Sequence, residues 1–267
     1  MQKLQMLTSH QLSDIEFLIR EVGNFQIQNQ SKVISSDVEE KSLNQLVSYV
    51  DIESEKKLVS GLKKITPNAG FLTEENTTTQ KNEDLYWIID PLDGTTNYLF
   101  GHTKYGISIA LYQNKKTVYA HIFIPVDDES FIGRPDGAFL NGKRISVSKR
   151  NSMADTLIAT GFPYYKFEEM EAYTNCLKKL MRETKGIRRM GSAAIDLAYT
   201  ACGRFDAFYE LNLSPWDVAG GSYIVRQAGG LVTDFENKEN YVFGNSILAG
   251  SPNVHQKMIE LIQREFN

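Results

Sequence analysis

Three acidic clusters carry most of the chemistry this chain could do. Glu74-Glu75 follows an apolar pair, Asp90 and Asp93 stand three residues apart in DPLDGTTN (residues 90–97), and Asp217 follows Trp216 at the start of a helical pattern. None of the clusters contains Lys, Arg or His, so carboxylates gathered from separate elements would repel one another unless a cation sat among them. Magnesium takes oxygen ligands at about 2.0 to 2.1 Å and keeps several waters, so a few carboxylates and the backbone carbonyl of Leu92 would suffice to hold it. Two such ions about 3.5 to 4 Å apart acidify a bound water, hold phosphate oxygens and stabilise a leaving alkoxide, so phosphate-ester hydrolysis needs no protein nucleophile. Gly94-Thr95-Thr96 offers backbone N–H groups to a phosphate and, at Thr95, a hydroxyl to orient the attacking water, with Glu74 as its acidic partner.

Each cluster also has an ordinary reading. Asp-Gly is a common turn, an Asp in the first turn of a helix compensates the helix dipole, and Glu-Glu is usually a solvated pair. Their coincidence in one chain, with DPLDGTTN preceded by an apolar strand, favours the metal cage.

The elements that must position these residues are legible in outline. Apolar residues recur at helical spacing from about Leu12 to Gln30 and from about Ile52 to Lys64. Gly70-Phe71-Leu72 leads into Glu74, and the polar run NTTTQKNED (76–84) reads as an exposed loop. LYWIID (85–90) is a strand stopped by Pro91, which puts Asp90 at its end. YGISIALY and TVYAHIFIP form a hairpin, and Asn141-Gly142 turns another between Phe139 and Val147 in the type I′ manner. Beyond Asp155, TLIAT, FDAFYE, LVTDF and SILAG are strands. Helices are expected from about Phe167 to Glu183, from the Ser192 N-cap to Cys202, from Ser214-Pro215 to Gly229-Gly230, and from about Pro252 onward. Asp217 then falls in a first helical turn.

At 267 residues the chain buries a substantial core as one large α/β domain or as two small ones sharing an interface. With no linker and no internal repeat, 1–267 reads as a single catalytic unit whose N-terminal α+β half (about 1–150) and C-terminal α/β half (about 151–267) share the site. The formal net charge is −4, with no long like-charge block, so the sequence carries no electrostatic footprint for nucleic acid. The first residues lack the apolar core of a signal peptide and no stretch has bilayer-spanning length, which points to a cytosolic protein with no membrane partner. Cys176 and Cys202 lack CxxC spacing and read as reduced packing residues, and the four histidines lack HExxH spacing, which argues against a zinc hydrolase. No GxxxxGK[ST] occurs, which disfavours a P-loop enzyme.

FLTEE, WIIDPLDGTTNYLFG, GAFLNGKRISVS, GSAAIDLAYTACGRFDAFYE and SPWDVAGG, in that order, make nearly the whole chain resemble the inositol monophosphatases of the lithium-sensitive, magnesium-dependent phosphatase superfamily. The resemblance implies a layered α/β/α/β/α sandwich in which Glu74, Asp90, the Leu92 carbonyl, Asp93 and Asp217 bind magnesium. It implies that Gly94 and Thr95 bind phosphate, that Thr95 and Glu74 activate water, and that Gly191, Ser192, Ala193 and Glu210 lie near the alcohol of the substrate. Two magnesium ions are implied, and a homodimer by analogy. The departures are upstream: Gln45-Leu46-Val47-Ser48 stands where the family usually reads Asp-Leu-Val-Thr, and Thr73 where it usually has glycine. A third, weaker magnesium is accordingly the least supported ion. Asp51 either touches the site through water or serves as the N-cap before Ile52.

The expected reaction is hydrolysis of myo-inositol 1-phosphate. Glu210 would repel a second phosphate and accept hydrogen bonds from cyclitol hydroxyls, which favours neutral polyols. Related enzymes cleave fructose 1,6-bisphosphate, histidinol phosphate, NADP or adenosine 3′,5′-bisphosphate with the same cage, and a non-catalytic binding protein that keeps the fold is the alternative of a different class.

Overall fold

Residues 7–34, 37–42, 45–79, 84–163 and 167–266 are described by a computed structural model. Part of the loop expected over 76–84, and residues 1–6, fall outside them.

Strand alternation sorts side chains onto the two faces of a seven-stranded sheet. Its strands are β3 (Gly70–Thr73), β4 (Leu85–Asp93), β5 (Gly106–Gln113), β6 (Lys116–Ile124), β7 (Glu129–Arg134), β8 (Gly137–Leu140) and β9 (Lys143–Arg144), in that order across the sheet. Trp87 and Ile89 of β4, Ile107, Ile109 and Leu111 of β5, and Tyr119 and Phe123 of β6 pack against α1 (Ser9–Gln30) and α2 (Tyr49–Ile65). A two-stranded ribbon, β1 (Val38–Ser42) with β2 (Gln45–Ser48), precedes α2.

The intervening residues of the same strands, Ala120, Ile122 and Ile124 of β6 among them, face α5 (Ala193–Ala201) and α6 (Pro215–Gln227). These two helices are buried on both sides, and α5 has no exposed residue. Their other side covers a five-stranded sheet, ordered β11 (Gly186–Arg188), β10 (Leu157–Thr160), β12 (Ala207–Leu211), β14 (Ser246–Gly250), β13 (Leu231–Thr233). On its far face, Tyr173, Cys176 and Leu180 of α4 (Met170–Glu183) and Val254, Met258 and Ile262 of α7 (Pro252–Phe266) close the stack. The sequence of layers is α1α2, seven strands, α5α6, five strands, α4α7, the expected α/β/α/β/α sandwich.

The Asn141-Gly142 turn has positive φ at both residues, 47° and 76°, as type I′ requires. Cys176 and Cys202 are both free. Among the described residues no helix is long and apolar enough to cross a membrane.

Candidate metal centre

β4 does not end at Asp90, as Pro91 suggests in the sequence, but runs to Asp93. Asp90 pairs with Ser108 and Asp93 with Gly106, so three steps on β4 oppose two on β5. This is a one-residue bulge. Residues three apart in a regular strand face opposite sides, and the extra residue brings Asp93 back to the side of Asp90. Pro91 supplies no N–H to the ladder, and the Leu92 N–H turns to Asp90 Oδ1 at 3.0 Å.

Across the seam, α5 and α6 present their N-termini to the bulge. Ser192 caps α5, accepting from Ile195 N, and donates its own hydroxyl to Asp93 Oδ2 at 2.7 Å, while Ala194 N donates to the same oxygen at 2.6 Å. Asp217 stands three residues beyond the Ser214 N-cap of α6, with Pro215 between them, and accepts from Ser214 N at 2.6 Å. One carboxylate oxygen from each of Asp90, Asp93 and Asp217 lies within 4.8 Å of the others. Burial is the main force pushing all three carboxyls up: Asp93 to about 6, Asp217 to about 8, and Asp90 well above the ordinary range. Asp90 is further raised by the charges of Glu74, Asp93 and Asp217. A hard-oxygen donor set whose members destabilise one another's charge is the chemistry a divalent cation relieves.

α2 supports the cluster from the opposite side. Its N-cap is Ser48, not Asp51: Asp51 is the third helical residue, and its Oδ2 accepts from both Ser48 N and Ser48 Oγ in a capping box. The Ser48-x-x-Asp51 spacing is the sequence sign of this arrangement. The free oxygen of Asp51, Oδ1, accepts from Thr95 Oγ1 at 2.9 Å, directly and without a bridging water. Thr95 Oγ1 also lies 3.1 Å from the Leu92 carbonyl. Gly94, at φ 96°, makes the turn into α3 (Thr95–Leu99), and a Cβ there would sit 3.0 Å from the Lys104 carbonyl. Thr73, in the position that departs from the family pattern, donates to Glu55 Oε1 at 2.8 Å.

A cavity of about 680 Å³ brings the remaining residues together. Glu74, Asp93, Gly94, Thr95, Gly191, Ser192, Ala193, Glu210 and Asp217 all line it; Asp90 and Leu92 are buried behind them. Burial pushes the Glu210 carboxyl to about 8, against the pull of Arg189. Gly161 makes room for it, since a Cβ there would fall 1.8 Å from Glu210 Oε1. Arg189, Asp196, Phe100 and Phe162, which nothing local in the sequence marks, also form the walls, as does Trp216 beside Asp217.

The description "inositol monophosphatase family" matches residues 11–266. The chain is 40% identical over 245 residues to a protein named putative Nus factor SuhB of Neisseria meningitidis serogroup B, covering 91% of this chain and 94% of that one. It is 37% identical over 250 residues to the Nus factor SuhB of Escherichia coli K12, covering 93% and 94%. The crystal structure of extragenic suppressor protein suhB from Bartonella henselae superposes with a TM-score of 0.90 at 36% identity, covering 96% and 99% of the two chains. An IMPase of Thermotoga maritima does so with a TM-score of 0.86 at 29% identity, covering 97% and 98%. A match that runs from α1 to the end of α7 takes in every element that shapes the cavity, and the chain belongs to the inositol monophosphatase family.

Proposed function

We propose that this chain is a magnesium-dependent phosphomonoesterase that converts myo-inositol 1-phosphate and water to myo-inositol and phosphate, acting in the cytoplasm as a homodimer. The observation that carries the reading is the convergence of Asp90, Asp93 and Asp217 to within 4.8 Å on a cavity that also exposes Glu74 and Thr95. Asp90, Asp93, Asp217, Glu74 and the Leu92 carbonyl would hold two magnesium ions, with a third the least supported. When bound, the ions supply Lewis-acid polarisation of the phosphate and a water acidic enough to attack it.

The chain's own groups do the rest. Thr95 spends its single proton on Asp51 or the Leu92 carbonyl, so its oxygen is left to accept a hydrogen bond from the attacking water and aim it. Glu74, on the same wall, takes the water's proton. The backbone N–H groups at Gly94 and Thr95 receive phosphate oxygens. Gly191, Ser192, Ala193 and Glu210 border the alcohol. Before any cation is bound, burial raises the Glu210 carboxyl to about 8; the repulsion expected of a second phosphate belongs to its ionised form. A protonated carboxyl both donates and accepts, which suits a polyol. The N-terminal and C-terminal halves act as a single catalytic unit, since Asp93 and Asp217 come from different halves.

Phosphate release from myo-inositol 1-phosphate, fructose 1,6-bisphosphate, histidinol phosphate and NADP in the presence of magnesium tests the reading. The highest kcat/KM is expected for inositol 1-phosphate; a bisphosphate or dinucleotide preferred over it would defeat the substrate assignment.

The relatives named Nus factor SuhB favour a second reading, in which the chain acts as a Nus factor through its surface and the cavity is dispensable. Restoration of an E. coli strain lacking SuhB by Asp93→Asn as fully as by the unsubstituted chain would support this role.

A further inference from the structure

Glu55 lies on α2 one turn beyond Asp51 and is fully buried. A buried carboxylate is costly unless its oxygens are filled with hydrogen bonds. Among the described residues the donors come from the segment that carries Glu74. Thr73 Oγ1 donates to Oε1 at 2.8 Å, Thr77 N to Oε1 at 2.7 Å, and Glu75 N to Oε2 at 2.7 Å. Glu74 itself is tied to β4 by its backbone N–H, 3.2 Å from the Ile89 carbonyl. The residues on both sides of Glu74 are thus fastened to one carboxylate, in a stretch without helix or strand between Glu74 and Thr79.

We infer that Glu55 is a positioning residue for Glu74: it clamps the turn after β3 so that the Glu74 carboxylate faces the Asp90–Asp93–Asp217 cluster. The same helix therefore places two groups of the centre, Thr95 through Asp51 and Glu74 through Glu55, with the two supporting carboxylates four residues apart on one face. Gln26 of α1 reinforces that face, its Nε2 within 3.2 Å of Ser54 Oγ and 2.7 Å of the Pro91 carbonyl. The clamp is specific for a carboxylate. An amide at position 55 keeps one accepting oxygen for Thr73 and Thr77, but sets an NH₂ against the Glu75 N–H, donor against donor. This inference rests on the proposed magnesium site for its functional consequence, not for the clamp itself.

The experiment compares Glu55→Gln and Thr73→Val with Leu58→Ala, a core truncation on the same helix. Magnesium binding by calorimetry, amide exchange at Glu75 and Thr77 without metal, and turnover against magnesium concentration are read on each. Glu55→Gln is expected to expose both amides to exchange, to weaken magnesium binding by about tenfold or more and to raise its half-saturating concentration to match. Thr73→Val, which removes one donor, follows by a smaller factor and decides the matter if Glu55→Gln does not fold. Leu58→Ala should lower Tm yet leave magnesium affinity within about twofold. Amides still protected in Glu55→Gln, or magnesium affinity unchanged in both variants while the unsubstituted protein binds it, would overturn the inference. An unsubstituted protein that binds no magnesium would instead defeat the proposed function, and amide exchange would still decide the clamp.

Discussion

Ser192 Oγ donates to Asp93 Oδ2 at 2.7 Å across the seam between the two sheets, so one carboxylate both caps the start of α5 and faces the acidic cluster. Ala194 N reinforces the contact at 2.6 Å. Asp93 Oδ2 is therefore held in place by two donors from the start of α5. Asp93→Asn removes the charge but keeps the shape. Magnesium-dependent phosphate release is expected to fall by at least about 100-fold while circular dichroism and Tm stay close to those of the parent. Turnover retained within tenfold would remove Asp93 from the centre.

The Asp51–Thr95 contact gives a second expectation. Thr95→Val leaves the cavity shape intact but takes away the hydroxyl and strands one oxygen of the buried Asp51. A drop in kcat of about 10²- to 10⁴-fold is expected, with a stability loss of about 1 to 3 kcal/mol from the unsatisfied carboxylate. Stopped assays and urea melts on the same preparation measure both. A change confined to KM would show that Thr95 serves binding alone.

Gly161 separates substrate recognition from metal binding. A methyl group there collides with Glu210 Oε1, so Gly161→Ala must move that carboxyl without touching the aspartates. KM for inositol 1-phosphate should rise by about tenfold or more, with KM for p-nitrophenyl phosphate, which has no hydroxyls to bind, and the magnesium dependence little changed. Equal effects on both esters would count against Glu210 as an alcohol contact.

The raised carboxyls make metal-free stability depend on pH in a definite direction. Native Asp93 and Asp217 keep protons up to about 6 and about 8, whereas the unfolded chain releases them near about 4. In that window the native state holds more protons than the unfolded one, so its stability falls as pH rises. The stabilisation is whole below about pH 4 and gone above about pH 8. Magnesium replaces those protons, so the rise in Tm on adding it should be small at about pH 5.5 and large at about pH 8. Calorimetric scans with and without chelator at both values measure this; a gain independent of pH would argue that these carboxyls are not the ligands.

The layered fold is legible because β4, β5 and β6 are short runs of β-forming, mostly apolar residues and because Ser192, Ser214 and Pro215 mark helix starts. The proposed ligands stand out through type and spacing, although Pro91 suggests an end to β4 where the strand runs on through the bulge that makes a three-residue spacing work. Pro91 is compatible with either a strand end or a bulge, and the register of the partner strand β5, a tertiary property, decides between them. Asp51 is visible in the sequence but not as the N-cap, since the Ser48 capping box starts α2 at Tyr49, three residues earlier than the apolar periodicity does. Arg189, Asp196 and Glu55 were beyond reach because their roles depend on which distant elements meet, and an isolated acid or base on a helix or loop reads as a solvated one.

Isothermal calorimetry of magnesium with the chelator-stripped protein is the most direct test of the central claim, that Asp90, Asp93 and Asp217 join Glu74 around divalent cations. Saturable binding to at least two ions per chain is expected, with loss of one or both in Asp90→Asn and in Asp217→Asn. Absence of binding, or binding untouched by either substitution in a folded protein, would contradict it.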